Sequence, residues 1–350
     1  MNRRALVPAL TRVGSVLAAV AFGSLLVLAI GESPAEVASL FIEGVLGTGE
    51  GIATILFNAT ALIFTGLSVA IAYRAGLFNI GAEGQLLIGA FTCTLTALAL
   101  DGAPGWILIP ACVVAAAAGG AAWGAIPGLL RAKFGAHEVI NTIMLNFIAA
   151  ALTSYFVVNV LREPGRMIPQ TAEIPDAARL PRLGDFSPLP AESPANVALI
   201  LALVVAALVA WLLARTPFGF RLRAIGASER AARTSGISTG RAILGAMIVA
   251  GALAGLAGVN EVLGFRYRYL DNFSGGVGFL GIAVALLGRA TPFGVVVAAL
   301  LFGAISAAAL EIDLFTDVPR EVALVVQAAI LLFVVAGDDL LARIRRARGG

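Results

Sequence analysis

The sequence predicts an all-α membrane protein of about ten transmembrane helices, and three observations predict it. The chain has 350 residues, of which 59% are hydrophobic and 13% charged, with a mean hydropathy of +0.95. Soluble chains average about 25% charged residues, so this one cannot cover itself with polar surface, and lipid is the solvent that suits it. Apolar stretches also recur at close to the roughly 20 residues that a spanning helix requires. Finally, Lys and Arg gather in alternate short connections, as the positive-inside rule expects of loops facing the cytoplasm. The expected location is the cell membrane, inner or plasma, crossed many times.

The spans follow in order. The first, 13–30, comes after MNRRALVPALTR and resembles a signal peptide. It has no small-residue cleavage site and is long enough to cross, so it reads as a helix. Arg3, Arg4 and Arg12 ahead of it place the N-terminus in the cytoplasm. The next connection carries Glu32, Glu36, Glu43 and Glu50 with no basic residue, and reads as outer. Spans 52–72 and 77–100 flank Arg74, inside; Asp101 then lies outside, ahead of span 106–130. Arg131 and Lys133 lie inside, ahead of span 139–161.

The segment 162–196 is outer and rich in proline, with Pro164, Pro169, Pro175, Pro181, Pro188, Pro190 and Pro194. Loops this long are usually functional or disordered, and a plain connector is the competing reading. Span 197–214 leads into an inner loop, 215–241, holding Arg215, Arg221, Arg223, Arg230, Arg233 and Arg241. Spans 242–260, 273–288, 292–310 and 321–337 complete the set. The stretch 273–288 is short and Gly-rich; were it only a re-entrant hairpin, the tail with Arg343, Arg345, Arg346 and Arg348 would move outside. The charge rule therefore counts it as a span, with both termini cytoplasmic and residues 1–350 forming a single transmembrane domain. Five helices in each half would make the halves inverted relative to one another, as transporters often are. The matching segments Arg215-Thr216-Pro217-Phe218-Gly219 and Arg289-Ala290-Thr291-Pro292-Phe293-Gly294 agree with that, as do the Gly-interrupted helix starts at 76–84 and 275–281.

Several classes are excluded. The net charge is +3 with a pI near 9.2, but no basic patch is interleaved with aromatics, so nucleic acid is not an expected partner. Cys93 and Cys112 both fall in apolar segments, where a disulfide is not expected. The sequence has no GxxxxGK[ST] phosphate loop, HExxH, GxSxG or Cys/His metal spacing. The chain is therefore expected to be no enzyme and to hold no cofactor or metal of its own.

Polar groups within spans are expensive and so are functional candidates by default. In Arg74-Ala75-Gly76-Leu77-Phe78-Asn79-Ile80-Gly81-Ala82-Glu83-Gly84-Gln85, three glycines and three polar residues open an apolar helix. Asn79, Glu83 and Gln85 either line a polar path or lock a bent helix, with Glu83 near a helix N-terminus that favours negative charge. In His137-Glu138-Val139-Ile140-Asn141-Thr142-Ile143-Met144-Leu145-Asn146, the residues Glu138, Thr142, Asn146, Ala149 and Thr153 share one helical face. Such a stripe suits a pore wall, with Asn141 beside it; interhelical hydrogen bonding is the alternative. His137 is the only histidine and reads as a loop residue. The inner loop contains a helix-compatible stretch, Ala227 to Thr234, which would lie on anionic lipid or seat in a partner's cleft.

The runs AGLFNIGAEGQLLIGA, HEVINTIMLNFI, RAIGASERAARTSGI and GFLGIAVALLGRATPFG resemble the branched-chain amino acid, ribose and nucleoside class of ABC-importer permeases. The match is strongest to the larger permease of guanosine-type nucleoside importers, over about residues 50 to 337. The resemblance implies a cytoplasmic coupling helix with an EAAxxxG-like pattern. Here Arg230-Ala231-Ala232-Arg233-Thr234-Ser235-Gly236 fits, with Arg230 where the pattern has Glu and Glu229 one place early. Ala231 and Ala232 would allow close approach to an ATPase and Gly236 would end the helix; Phe218, Arg221, Arg223 and Ile237 would add contacts. It further implies alternating access with a second permease (homologous and non-identical), ATPase subunits that bind ATP and Mg, and an external binding lipoprotein. The expected cargo is nucleosides, with Asn79, Gln85, Asn141, Thr142 and Asn146 offering hydrogen bonds. The competing readings are an importer of simple sugars or another small polar solute, a stand-alone secondary transporter, and a membrane scaffold.

Overall fold

A computed structural model of the chain describes the backbone of residues 3–348 and the side chains from 14 to 336, apart from 15, 16 and 335. The terminal arginines Arg3, Arg4, Arg12, Arg343, Arg345, Arg346 and Arg348, on which the cytoplasmic placement of the termini rests, fall outside the described side chains. The described residues contain thirteen α-helices: α1 (Arg3–Ile30), α2 (Pro34–Ser39), α3 (Gly49–Arg74), α4 (Ala82–Ala99), α5 (Gly105–Phe134), α6 (Glu138–Asn159), α7 (Ala198–Arg215), α8 (Pro217–Ala227), α9 (Glu229–Thr234), α10 (Thr239–Glu261), α11 (Val277–Leu287), α12 (Pro292–Phe315) and α13 (Glu321–Arg348). Among the described residues there is no strand, only isolated β-bridges joining Gln170 to Leu270 and Arg182 to Asn196.

Seven of these helices are long and apolar enough to cross a membrane, and shorter apolar stretches lie at Leu17–Ile30, Val277–Leu287 and Glu321–Val334. All of the predicted spans fall on these helices or stretches. Two depart from the predicted form. The span expected at 77–100 starts only at Ala82, because residues 75–81 are irregular. The span expected at 273–288 is an 11-residue helix, α11. At 1.5 Å per residue it is about 16 Å long, roughly half of a 30 Å hydrocarbon core.

The chain divides into two compact units, one made of Met1–Ile55 with Leu301–Gly350 and the other of Leu56–Leu300. In the first, α1 packs along α13, with Phe22 and Phe333 edge-on at 6.4 Å between ring centroids. The chain leaves α2 through a π-helical turn, Leu40–Leu46, whose Val45 joins Ile55, Ala307 and Ala308 in a small apolar cluster.

The second unit is built on close helix packing among α4, α5 and α10. Helix association in lipid depends on van der Waals fit, which small residues allow by letting backbones approach. Gly120, Gly124 and Gly128 recur every four residues on α5. A Cβ on Gly120 would lie 2.8 Å from the Gly255 Cα, one on Gly124 would lie 3.0 Å from the Gly251 Cα, and one on Gly128 would lie 2.8 Å from the Met247 Cβ. On α4, Gly89 meets the Gly255 backbone, and across from it Gly258 of α10 meets Ala90. Residues 59–72 of α3 are buried on every side, as expected of a helix that is hydrophobic all round. By contrast α6 and α7 expose large apolar side chains, among them Met144, Phe147, Leu152, Leu203, Leu208 and Trp211.

The segment 162–196 is largely irregular but well tied down. Thr171 N donates to Tyr269 O at 3.0 Å, Ile174 N to Tyr267 O at 2.8 Å and Leu180 N to Leu263 O at 2.8 Å. Arg179 stacks over the Tyr267 ring at 4.6 Å and pairs with Glu173 and Asp176. Arg268 also pairs with Glu173.

Candidate functional site

The break before α4 follows from three residues. Gly76 takes φ +74°, the left-handed conformation that ends helices, and Leu77 N returns to Ala72 O at 3.0 Å. The Asn79 side chain then forms a turn of its own, its Oδ1 accepting from Gly81 N at 3.1 Å, a local bond that Asn makes readily. The same side chain is clamped by Gln85, with Asn79 Nδ2 donating to Gln85 Oε1 at 2.8 Å and Gln85 Nε2 returning to Asn79 Oδ1 at 3.2 Å. Asn79 also reaches Ser68 Oγ on α3 at 3.1 Å. Asn79 and Gln85 are both fully buried, and a buried polar pair is stable only when its bonds are made internally.

Asn146 of α6 fastens the same turn from the other side. Its Oδ1 accepts from Gly84 N at 2.9 Å and its Nδ2 donates to Ile80 O at 2.9 Å. Gly84 is required here, since a Cβ would stand 2.9 Å from that Oδ1. The stripe predicted on α6 is thus real: Glu138, Thr142, Asn146, Ala149 and Thr153 are all buried, and they face α4 of the same chain. Thr142 and Thr153 turn their hydroxyls back to Glu138 O and Ala149 O, at 2.8 and 2.9 Å. Glu138 pairs with Arg131 at 3.5 Å across the turn from α5. Asn141 differs, because its Nδ2 is buried with no acceptor among the described residues.

Glu83 joins two broken helices. Lying in the first turn of α4, it accepts from Gly278 N at 2.7 Å with Oε2 and from the Ser274 hydroxyl with Oε1. Gly278 is in the first turn of α11. The N-termini of two interrupted helices therefore converge on one carboxyl, which is where helix dipoles favour negative charge. These are the Gly-rich starts at 76–84 and 275–281 that the sequence placed in equivalent positions of its halves.

At the other end of α11 lies the second predicted region. The predicted stretch Ala227–Thr234 is divided between α8 and α9, which meet at Ser228. Thr216 caps α8 by accepting from Gly219 N at 3.1 Å, and Ser228 caps α9 by accepting from Ala231 N at 3.2 Å. Ala232 is buried with Ile225 and Ala242, and Ile237 packs on them, so these two seat the elbow on the bundle. Arg221, Arg223, Ala231 and Gly236 face outward, and Gly236 ends α9 at φ +83°. Glu229 pairs with Arg233 at 3.0 Å. Phe218 is half-buried against Gly245 of α10. Arg74 donates to Ala290 O at 2.9 Å, and an open cleft of about 270 Å³ is lined by Tyr73, Arg74, Arg223, Gly226 and Arg289.

Residues 51–335 match the family described as the permease component of the branched-chain amino acid transport system. The chain belongs to this permease family. The permease is 40% identical over 328 residues to the guanosine ABC transporter permease protein NupP of Bacillus subtilis, covering 92% of this chain and 91% of that one. It is 37% identical to the nucleoside ABC transporter permease protein NupB of Lactococcus lactis, over 95% and 91% of the two chains. It is 34% identical to a glucose ABC transporter permease protein of Haloferax volcanii, over 94% and 87%. It is thus a multi-pass plasma-membrane protein and a transport subunit, and membership implies an ATPase and a binding protein as partners.

The structure brings Asn79, Glu83, Gln85, Thr142 and Asn146 of the permease into one buried neighbourhood. Glu138 lies about one turn before Thr142 on α6, and Asn141, next to Thr142, gives its Nδ2 to none of the node's hydrogen bonds. Sequence reasoning passed over Ser68 and Ser274, which complete the node. It also passed over Asn260, which donates to Phe57 O at 3.2 Å and accepts from Asn196 at 3.1 Å. Asn260 lies within a predicted span, so the rule that singled out Asn79 applies to it equally.

Proposed function

We propose that this chain is the translocating permease subunit of an ABC importer for nucleosides. The single observation that carries this reading is near full-length similarity, at 40% and 37% identity, to permeases named for guanosine and nucleosides. The architecture supports a transporter: discontinuous helices whose N-termini meet within a bundle are how many transporters build their central sites. In this reading Asn79, Glu83, Gln85, Glu138, Thr142 and Asn146 form the wall of the path. They do so mainly by holding backbone in place, because most of their hydrogen bonds are already made within the chain. Asn141 keeps a donor in hand for cargo or a neighbouring subunit.

The elbow of α8 and α9 is the coupling surface. Arg221, Arg223, Ala231 and Gly236 would touch the ATPase, while Phe218, Glu229, Ala232 and Ile237 would keep the elbow rigid. ATP and Mg would bind on the ATPase alone. A second, homologous permease would complete the path, and an external lipoprotein would dock over 162–196.

The 34% identity to a glucose permease favours simple sugars as the second reading. Uptake of labelled guanosine and glucose by the reconstituted complex, with binding protein added or withheld, separates the two. Guanosine uptake that requires the binding protein is the expected result, and uptake of glucose alone would sink the nucleoside reading.

A further inference from the structure

We propose that the cleft between α6 and the loop before α11 is a subsite where Asp271 accepts the paired hydrogen-bond donors of a neutral nucleoside. This rests on the nucleoside reading above. The cleft measures about 400 Å³, within the roughly 300–1,000 Å³ usual for small-molecule sites. Leu87, Ala150 and Ala151 line it with apolar surface, and Thr153, Ser154, Asp271 and Asn272 with polar groups. Ser154 Oγ donates to Asp271 Oδ2 at 3.1 Å, which fixes the carboxyl group, and no described residue donates to Oδ1. The backbone of Asp271 is anchored separately, its N donating to Pro169 O at 3.0 Å. Asn272 follows at φ +56°, a conformation Asn tolerates better than most residues. Its amide is exposed and bonds to no other described residue.

The chemistry of this lining selects its ligand. A carboxylate offers about four acceptor sites on its two oxygens, so with one taken by Ser154 it still accepts from two adjacent donors, one on each oxygen, as in bidentate pairs. On a nucleoside such pairs are the vicinal ribose hydroxyls and the ring and exocyclic N–H groups of guanine. The apolar part of the lining suits the face of a base. Among the described residues no basic side chain lines the cleft, so a phosphate or a free carboxylate would meet like charge without a counterion. Nucleotides and other net anions are thereby disfavoured relative to nucleosides.

The test is transport of labelled guanosine by the complete reconstituted complex at saturating binding protein. Asp271→Asn keeps the shape and is expected to slow transport about tenfold to a hundredfold, the range for losing a hydrogen bond to a charged group. ATPase association should be unchanged, and Ser154→Ala should act in the same direction by less. Comparing guanosine with 2′,3′-dideoxyguanosine and with inosine identifies the donor pair: the analogue that is slow on the wild type but equal to guanosine on Asp271→Asn lacks it. Should Asp271→Asn fail to assemble, Ser154→Ala alone decides. Wild-type rates in the variants, from a complex that does carry guanosine, overturn the subsite and leave the nucleoside reading standing. A wild-type complex that carries glucose and no nucleoside overturns that reading instead.

Discussion

At the scale of residues, the buried polar node is a set of mutually dependent bonds. Glu83→Ala would strip partners from Gly278 N and Ser274, and a buried group left unsatisfied costs about 1–3 kcal/mol. We expect a lower unfolding temperature in detergent and loss of uptake. Asn146→Leu removes two bonds to the α4 turn and should act likewise; unchanged thermal stability would show that the turn holds itself. Outside the membrane, Glu163 is held below the usual carboxylate range by the Gln170 amide first and by Arg166 and Arg268 after it, with partial desolvation opposing. A depressed carboxyl contributes stability that is present above its unfolded value and lost as pH falls through the folded one. The segment 162–196 should therefore become more protease-sensitive below about pH 4, and equal cleavage at pH 7 and pH 3 would refute that.

At the scale of elements, two substitutions one residue apart separate coupling from folding. Ala231→Glu places a charge on the outward face of α9 and should lose ATPase co-purification with a normal elution profile. Ala232→Glu buries that charge among Ile225 and Ala242 and should destabilise the whole elbow. If both co-purify with the ATPase, the elbow is not the coupling surface. On the glycine ridge, Gly120→Val drives side-chain atoms into the α10 backbone. Overpacking typically costs about 1–3 kcal/mol, and aggregation during size-exclusion chromatography is the expected sign. Elements were also where the sequence was most readable. Long apolar runs such as α7 announce themselves because lipid demands length. The stop at Gly76 and the brevity of α11 were hidden, since hydropathy counts Phe78, Ile80 and Phe279 alike whether or not the backbone is helical. Asn79, Glu83 and Asn146 were visible as polar intruders. Which backbone Glu83 and Asn146 fasten was not, because their partners lie 62 to 195 residues away, whereas Asn79 bonds within eleven residues of itself.

For the whole molecule, the prediction concerns sidedness. The charge rule puts Arg74, the 215–241 loop and Arg289 on the cytoplasmic face. A cysteine at exposed Ser235 should therefore react with a membrane-impermeant thiol reagent only after the cells are opened. One introduced at Met167, 97% exposed in the proline-rich segment, should react in intact cells. The reverse pattern would remove the coupling assignment along with the topology.

The carboxyl shared by α4 and α11 has a mechanical corollary. Two short rods knotted at their tips cannot swing independently: either the knot opens at each stroke, or the rods turn together as one rocker about Glu83. The second course costs no hydrogen bonds, which makes the middle of the bundle the still point and leaves the larger travel to the rods' far ends, α11's being the one that carries Arg289 beside the elbow.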